Sequence, residues 1–216
     1  MKLSKYEIGA FVIFLASLVA AIIVYPHLPA QVASHWGSNG EVNGYMSSFW
    51  GAFMMPIVIA VMLVIFIIIP RVDPKKENIE KMKPLFGRFI ILIMLFMGYV
   101  YALTLWWNFG GRFNMTQYFA PAFAVLFYYV GVMVSGAQQN FSIGIRTPWT
   151  LSNEVVWQKT HKLGGKLFRL SGIIALFGWL WPNLAIWFML VPIMAFMVFT
   201  VIYSYVMFRR ETAKAK

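Results

Sequence analysis

The sequence contains no cysteine, which excludes disulfide bonds, thiolate metal ligands and a cysteine nucleophile. It is also poor in charge, since charged residues make up only 12% of its 216 residues and acids number 7 against 18 Lys and Arg. Soluble domains carry about twice that fraction of charge. Hydrophobic residues reach 61%, so the composition predicts an integral membrane protein with little room for a water-soluble domain.

Motifs that carry catalysis are also missing. The sequence has no His-Glu-x-x-His motif, no phosphate-binding glycine loop with its lysine and no nucleophile elbow. The middle of each apolar run lacks Asp, Glu, Lys, Arg and His, which ion-coupled transport needs inside the bilayer. We therefore expect no enzymatic activity, no cofactor and no ion-coupled transport. A passive channel or facilitator and an assembly factor for other membrane proteins stay open as alternatives.

Six apolar runs come close to or exceed the roughly 20 helical residues that a bilayer requires. They cover Ile8–Tyr25, Phe49–Ile69, Phe89–Trp107, Phe119–Ser135, Leu167–Trp181 and Leu184–Phe208. The sequence therefore predicts an all-α polytopic membrane protein with six transmembrane helices. We divide it into an N-terminal two-helix membrane domain, residues 1–69, and a four-helix membrane region, residues 70–216.

The distribution of Lys and Arg predicts the orientation of these helices. Seventeen of the 18 basic residues lie on one side: sixteen at the two termini or in the second and fourth connections, and Arg169 just inside the fifth run. Arg112 is the exception. Basic residues accumulate on the cytoplasmic side, so both termini are predicted to be cytoplasmic. We assign the net charge of +11 to contact with anionic lipid headgroups, and not to direct binding of nucleic acid.

Three prolines, Pro56, Pro121 and Pro192, fall in the outer parts of the three inward-running helices. Proline removes a backbone hydrogen bond and can kink a helix. One interpretation is ordinary proline in a membrane helix, and for Pro121 also a place in the first helical turn. The other interpretation is a cavity, open to the outside, that these three helices line.

Small residues four positions apart predict close contacts between helices. Such pairs favour a compact bundle, without pointing to a function. The pairs are Gly98/Ala102, Gly131/Ser135 and Ser171/Ala175.

The first outer connection has features of a small hairpin. Two Asn-Gly pairs, at residues 39–40 and 43–44, favour turns, and short extended runs flank Gly37–Gly40. A metal site of His27, His35 and Glu41 is a less favoured alternative, because neither the spacing nor the number of ligands is diagnostic. We instead assign a group of outer recognition residues. They are His35, Trp36, Gly40, Glu41, Asn43, Gly44 and Tyr45.

The fourth connection, on the predicted cytoplasmic side, has an unusual sequence. Ser152 is predicted to cap a helix with Glu154 in its first turn. This helix is expected to lie along the membrane surface before the fifth run, with Val156, Thr160, Leu163 and Leu167 on one face and Lys159, Lys162 and Lys166 on another. The segment is either a surface connector or a docking surface for a cytoplasmic partner. The candidate docking residues are Asn140, Gly144, Arg146, Thr147, Pro148, Trp149, Asn153, Trp157 and His161.

At these two connections the chain resembles the SdpI family of bacterial membrane immunity proteins. Residues 28–36 (Leu-Pro to His-Trp) and 40–45 are similar to the small N-terminal membrane domain of unknown function found in SdpI-type proteins. Residues 140–161, with Ile143 to Thr150 and Asn153 to Trp157, are similar to the C-terminal signature of the family. Ala33 and Ser48 depart from the proline and lysine that are common at these positions.

The resemblance implies a multi-pass protein of the bacterial cell membrane that protects the cell from a secreted killing peptide. It also implies signalling, through a transcriptional repressor that is held at the membrane. The expected partners are therefore membrane lipids, a peptide toxin outside and a repressor inside.

Overall fold

The computed structural model describes residues 3–214, which are mostly helical. Its helices are α1 (Lys5–Val24), α2 (Ser48–Val72), α3 (Lys76–Lys81), α4 (Lys83–Asn108), α5 (Met115–Ser135), α6 (Pro148–Ser152), α7 (Glu154–Ala175), α8 (Phe177–Leu180) and α9 (Ala185–Lys214). Six helical segments are long and apolar enough to cross a membrane, which confirms the predicted class of fold. Each of the six apolar runs overlaps one of them, although the fifth segment begins at Glu154, well before the predicted Leu167.

The bundle has two ends that carry different structures. The hairpin end holds the strands β1 (Gln31–Trp36) and β2 (Val42–Ser47) together with the α4–α5 connection. The basic end holds α3, α6 and the loop that follows α5. Which of these ends faces the cytoplasm stays a prediction from the charge distribution.

The strands form a two-stranded antiparallel hairpin at the position where the Asn-Gly pairs favour turns. Gln31 pairs with Ser47 and Trp36 with Val42, and the pairing is irregular between Ala33 and Trp36. Gly40 has a φ of 80°, and a Cβ added there would meet the Asn114 side chain at 2.4 Å. The tip of the hairpin therefore packs closely against the start of α5.

Small residues determine the contact between α5 and α7. A Cβ added at Gly172 would lie 2.6 Å from the Ala124 carbonyl oxygen, so the two helices approach backbone to backbone. Gly131, Ser171 and Ala175 are buried in this region, as the spacing predicts. The prediction for Gly98/Ala102 is wrong, because a Cβ added at Gly98 meets nothing within 4 Å and Ala102 is exposed.

The helix α7 differs from its prediction. Asn153, and not Ser152, is the N-cap, and its side chain accepts a hydrogen bond from the Val156 N–H at 3.0 Å. The helix then continues without interruption to Ala175, so a separate helix lying on the membrane surface is not present. Its first turns are instead packed inside the protein, since glycines allow close contact with neighbouring segments. The buried residues there are Val156, Trp157, Thr160, His161, Gly164 and Gly165.

The three span prolines lie inside helices α2, α5 and α9. Because α5 begins at Met115, Pro121 falls in the second turn. The alternative that placed Pro121 in the first turn is therefore wrong.

Candidate functional sites

A cavity of about 410 Å³ lies beneath the hairpin, between α2, α4, α5 and α9. The three proline-bearing helices therefore do line a cavity, with α4 as a fourth wall. Most of the cavity surface is apolar, which favours the binding of an apolar ligand. The walls include Trp36, Trp50, Met55, Tyr101, Phe119 and Met189.

Trp36 is the predicted recognition residue that contributes most directly to this cavity. Its half-buried ring meets the Trp107 ring edge to face, with centroids 5.9 Å apart. Its indole Nε1 is buried and has no hydrogen-bond partner among residues 3–214. An unsatisfied buried donor costs about 1–3 kcal/mol, so a ligand group that accepts a hydrogen bond from this N–H would contribute to binding.

Asn108, the last residue of α4, holds the hairpin in place. The Ala33 N–H donates to Asn108 Oδ1 at 2.7 Å, and Asn108 Nδ2 donates to the Ala33 carbonyl oxygen at 3.0 Å. Sequence reasoning missed Asn108, because an asparagine at the end of an apolar run is an ordinary interfacial residue. Proline has no N–H to donate, so the alanine at position 33 is what makes the first of these bonds available.

The other predicted outer residues divide into two groups. His35, Glu41, Asn43 and Tyr45 are exposed, and Tyr45 is exposed to 63%. Glu41 Oε2 accepts a hydrogen bond from the Asn39 side chain at 2.7 Å. The two glycines have conformational roles: Gly40 is buried at the tip, and a Cβ at Gly44 would lie 3.0 Å from the His35 Cβ.

The structure does not support the alternative of a metal site. Within residues 3–214, no three side chains of His, Asp or Glu come together in a group that could hold a metal ion. His27, His35 and Glu41 therefore do not converge.

At the basic end, residues 137–153 form a folded loop, here called the signature loop. Asn140 is fully buried at its centre. Its Oδ1 accepts from the N–H groups of Ser142 and Ile143 at 2.9 and 2.6 Å. Its Nδ2 donates to the carbonyl oxygens of Gln138 and Ile143 at 2.8 and 3.0 Å. A single side chain thus satisfies the backbone of the turn.

Asp73, at the end of α2, ties this loop to the rest of the bundle. It is only 4% exposed, and its Oδ1 accepts from the Lys75 N–H at 2.7 Å. Its Oδ2 accepts from the Phe141 N–H at 3.0 Å and from the Ser142 hydroxyl at 2.5 Å. Sequence reasoning missed Asp73. An Asp-Pro pair favours a turn, but this local pattern does not reveal the distant partners of the carboxylate.

His161 is a structural residue with a defined tautomer. The Ile145 N–H donates to its Nε2 at 2.9 Å, so this nitrogen carries no proton. The proton of the neutral ring is then on Nδ1, which donates to the Trp157 carbonyl oxygen at 2.8 Å. The Trp157 ring stacks on the imidazole at 3.8 Å, and a Cβ at Gly144 would lie 2.4 Å from Nε2.

The short helix α6 attaches the signature loop to α9. Its N-cap, Thr147, is buried and shares a hydrogen bond with the hydroxyl of Ser204 at 3.0 Å. Trp149 packs its ring against Tyr205, with centroids 5.1 Å apart. Three transmembrane helices, α2, α7 and α9, therefore fix the conformation of the loop.

The candidate docking residues differ in their access to a partner. Asn140, Thr147, Trp157 and His161 are buried, so their role is to shape the loop. Gly144, Trp149 and Asn153 are half-buried, whereas Arg146 and Pro148 are exposed. The exposed guanidinium of Arg146 donates to the Phe141 carbonyl oxygen at 2.6 Å, and the Phe141 side chain is 46% exposed.

Comparison with known proteins finds a family match for each of two regions of the chain. Residues 12–60, which include the hairpin, match the domain of unknown function DUF1648, and residues 137–205, which include the signature loop, match the SdpI/YfhL protein family. Immunity protein SdpI of Bacillus subtilis (strain 168) is 24% identical over 202 residues, which cover 93% of this chain and 95% of the relative. No solved structure matches the chain. The chain is therefore a multi-pass bacterial membrane protein in which a region that matches DUF1648 precedes a region that matches the SdpI/YfhL protein family.

Proposed function

We propose that this protein protects the bacterial cell membrane from a secreted killing peptide, and that the hairpin end recognises this peptide without catalysis. The observation that carries the proposal is the apolar cavity of about 410 Å³ beneath the hairpin. It lies at the end that the charge distribution predicts to face outside. The name of the Bacillus subtilis relative, an immunity protein, supports the same function.

The residues at this end match the chemistry of a membrane-active peptide. Such a peptide carries apolar side chains, which the cavity can remove from water and lipid. A backbone carbonyl group of the peptide can accept the free indole N–H of Trp36. Glu41 is exposed at the hairpin turn, where its carboxylate attracts a basic side chain.

The packing below the cavity favours capture of a peptide over passive conduction. Ile59, Leu63 and Met94 lie deeper in the same helices and are at most 6% exposed. They belong to an apolar cluster that fills the bundle toward the basic end. A continuous path for a solute would have to displace these side chains, so the channel alternative has less support.

The direct test is expression of the protein in a sensitive bacterium that is then challenged with killing peptides. We expect cells with membrane-inserted protein to survive and to keep their membrane potential. Absence of any advantage across several such peptides would contradict immunity.

A second candidate function is retention of a transcriptional repressor at the basic end. The supporting observation is a rigid loop that exposes Phe141 and Arg146 side by side. In a membrane pulldown, Arg146→Ala should release the repressor, whereas Arg210→Ala, which removes an exposed charge from α9, should not. If both variants retain the repressor equally, the loop only connects α5 to α7 and is not a docking surface.

A further inference from the structure

Three cationic residues follow one face of α7 at the basic end. Lys162, Lys166 and Arg169 are spaced i, i+4 and i+7, which places them along a single stripe of the helix. Together with Ser135 and Gln138 they line a cavity of about 410 Å³ between α7 and the end of α5. This cavity is separate from the one beneath the hairpin.

The charge of this cavity is not balanced by the protein. Within residues 3–214, the ion pairs are formed by Arg71, Lys83, Lys159 and Lys214, so the three cations of the stripe take part in none of them. The lining includes one acid, Glu154, which lies eight residues before Lys162 and therefore about 12 Å along the helix. The site therefore has an excess of positive charge that suits an anion.

An apolar groove continues the same stripe toward the middle of the bundle. It has a volume of about 500 Å³ and lies between α4, α5 and α7. Ile173 and Leu176 extend the α7 stripe into this groove, where they face Val125 and Tyr128 of α5. Nearly all of its surface is apolar, and Arg88 lies at its edge.

Arg169 lines the charged cavity, and Gly172, three residues further along α7, lines the apolar groove. A Cβ added at Gly131 would lie 2.7 Å from the Arg169 Cγ, so the aliphatic part of Arg169 rests on the backbone of α5. One turn further along α7, the contact of Gly172 with Ala124 forms the floor of the groove. The charged cavity and the apolar groove therefore follow one another along α7, as the headgroup and the acyl chain do in a phospholipid.

We propose that this surface is a binding site for an anionic phospholipid. Its headgroup phosphate contacts Lys162, Lys166 and Arg169, and one acyl chain lies in the groove between α4, α5 and α7. Basic pockets between membrane helices bind anionic headgroups in this manner. A zwitterionic lipid brings its own cation into the cavity, so the site discriminates against phosphatidylcholine.

The test is native mass spectrometry of the full-length protein with phosphatidylglycerol and with phosphatidylcholine of the same chain length. The wild-type protein should retain phosphatidylglycerol preferentially. Because each Lys or Arg near a membrane surface contributes a similar attraction to an anionic lipid, Lys162→Gln/Lys166→Gln should weaken phosphatidylglycerol binding about thirty-fold. The triple variant, which adds Arg169→Gln, should weaken phosphatidylglycerol binding further. If the triple variant inserts poorly into the membrane, the double variant still provides the test.

The matched control is Lys76→Gln/Lys81→Gln/Arg210→Gln, which removes three exposed charges elsewhere at the basic end. It should bind phosphatidylglycerol like the wild-type protein, and glycerol phosphate should not displace the lipid. The proposal is overturned if the control loses as much binding as the stripe variants or if the stripe variants lose none. It is also overturned if phosphatidylcholine binds equally well or if glycerol phosphate displaces the lipid.

Discussion

The side-chain amide of Asn108 pairs with both backbone polar groups of Ala33, at 2.7 and 3.0 Å. Within the hairpin, Ala33 stands opposite Tyr45 of β2. The Asn108 amide therefore acts on β1 as a short third strand would, and it joins the hairpin to the end of α4. Trp36 lies three residues further along β1, so this contact also determines where its ring lies over the cavity.

Asn108→Ala should loosen the hairpin, because two partly buried hydrogen bonds are lost together. With each such bond contributing about 0.5–1.5 kcal/mol, deuterium uptake at residues 31–36 should become markedly faster. Hydrogen-exchange mass spectrometry of the protein in detergent measures this rate. Asn43→Ala is the control, since Asn43 is exposed in the same hairpin. If both variants exchange like the wild-type protein, Asn108 does not anchor the hairpin.

Gly144→Ala should destabilise the signature loop through a steric clash with His161. Gly110 provides the matched control, because both glycines have a positive φ, 118° and 104°, but a Cβ at Gly110 meets nothing within 4 Å. Backbone strain of about 1–3 kcal/mol is common to both substitutions. A thermal unfolding assay in detergent should therefore show a larger loss for Gly144→Ala. Equal losses would mean that the contact with His161 is unimportant.

Asp73→Asn should weaken the connection between α2 and the signature loop. In asparagine, one carboxylate oxygen is replaced by an NH₂ group, which cannot accept the hydrogen bonds that Asp73 receives. A buried donor left unsatisfied in this way costs about 1–3 kcal/mol of folding free energy. We expect a lower unfolding temperature and faster hydrogen exchange at residues 138–147. Glu77→Gln, an exposed acid in α3, should change neither quantity. If Asp73→Asn changes neither the unfolding temperature nor the hydrogen exchange, Asp73 does not connect α2 to the signature loop.

The predicted orientation can be tested with single cysteines, and the absence of native cysteine makes the labelling unambiguous. Ser38, in the hairpin turn, and Glu77, in α3, are both exposed and lie at opposite ends of the bundle. On intact cells, an impermeant thiol reagent should label Ser38→Cys and not Glu77→Cys. Labelling of Glu77→Cys, or no labelling of Ser38→Cys in an inserted chain, would contradict the predicted orientation.

Local patterns in the sequence were sufficient to locate the six apolar helical segments and the hairpin. The apolar runs are long, and Asn39-Gly40 favours a turn whatever its surroundings. Asn108 and Asp73 were missed because their partners lie 75 and 68 residues away in sequence. Nothing near either residue indicates that its side chain will bond to a distant backbone.

The error at α7 has a different physical cause. Lys159, Lys162 and Lys166 gave the segment the charge pattern of a helix on the membrane surface. Burial of Trp157 and His161 against the signature loop and the helix contacts that Gly165 permits determine its real position. The division of the chain at residue 70 stays a prediction.

Protection against a killing peptide, compared between Trp36→Ala and Trp187→Ala, tests the central claim most directly. Both substitutions remove a tryptophan, but Trp36 lines the cavity, whereas Trp187 is 57% exposed on α9 and does not. A buried aromatic anchor contributes about 2 kcal/mol or more, and an exposed ion pair about 0–1 kcal/mol. With equal amounts of inserted protein, survival should fall strongly for Trp36→Ala, slightly for Glu41→Gln and not for Trp187→Ala. Full protection by Trp36→Ala would contradict recognition at the cavity beneath the hairpin.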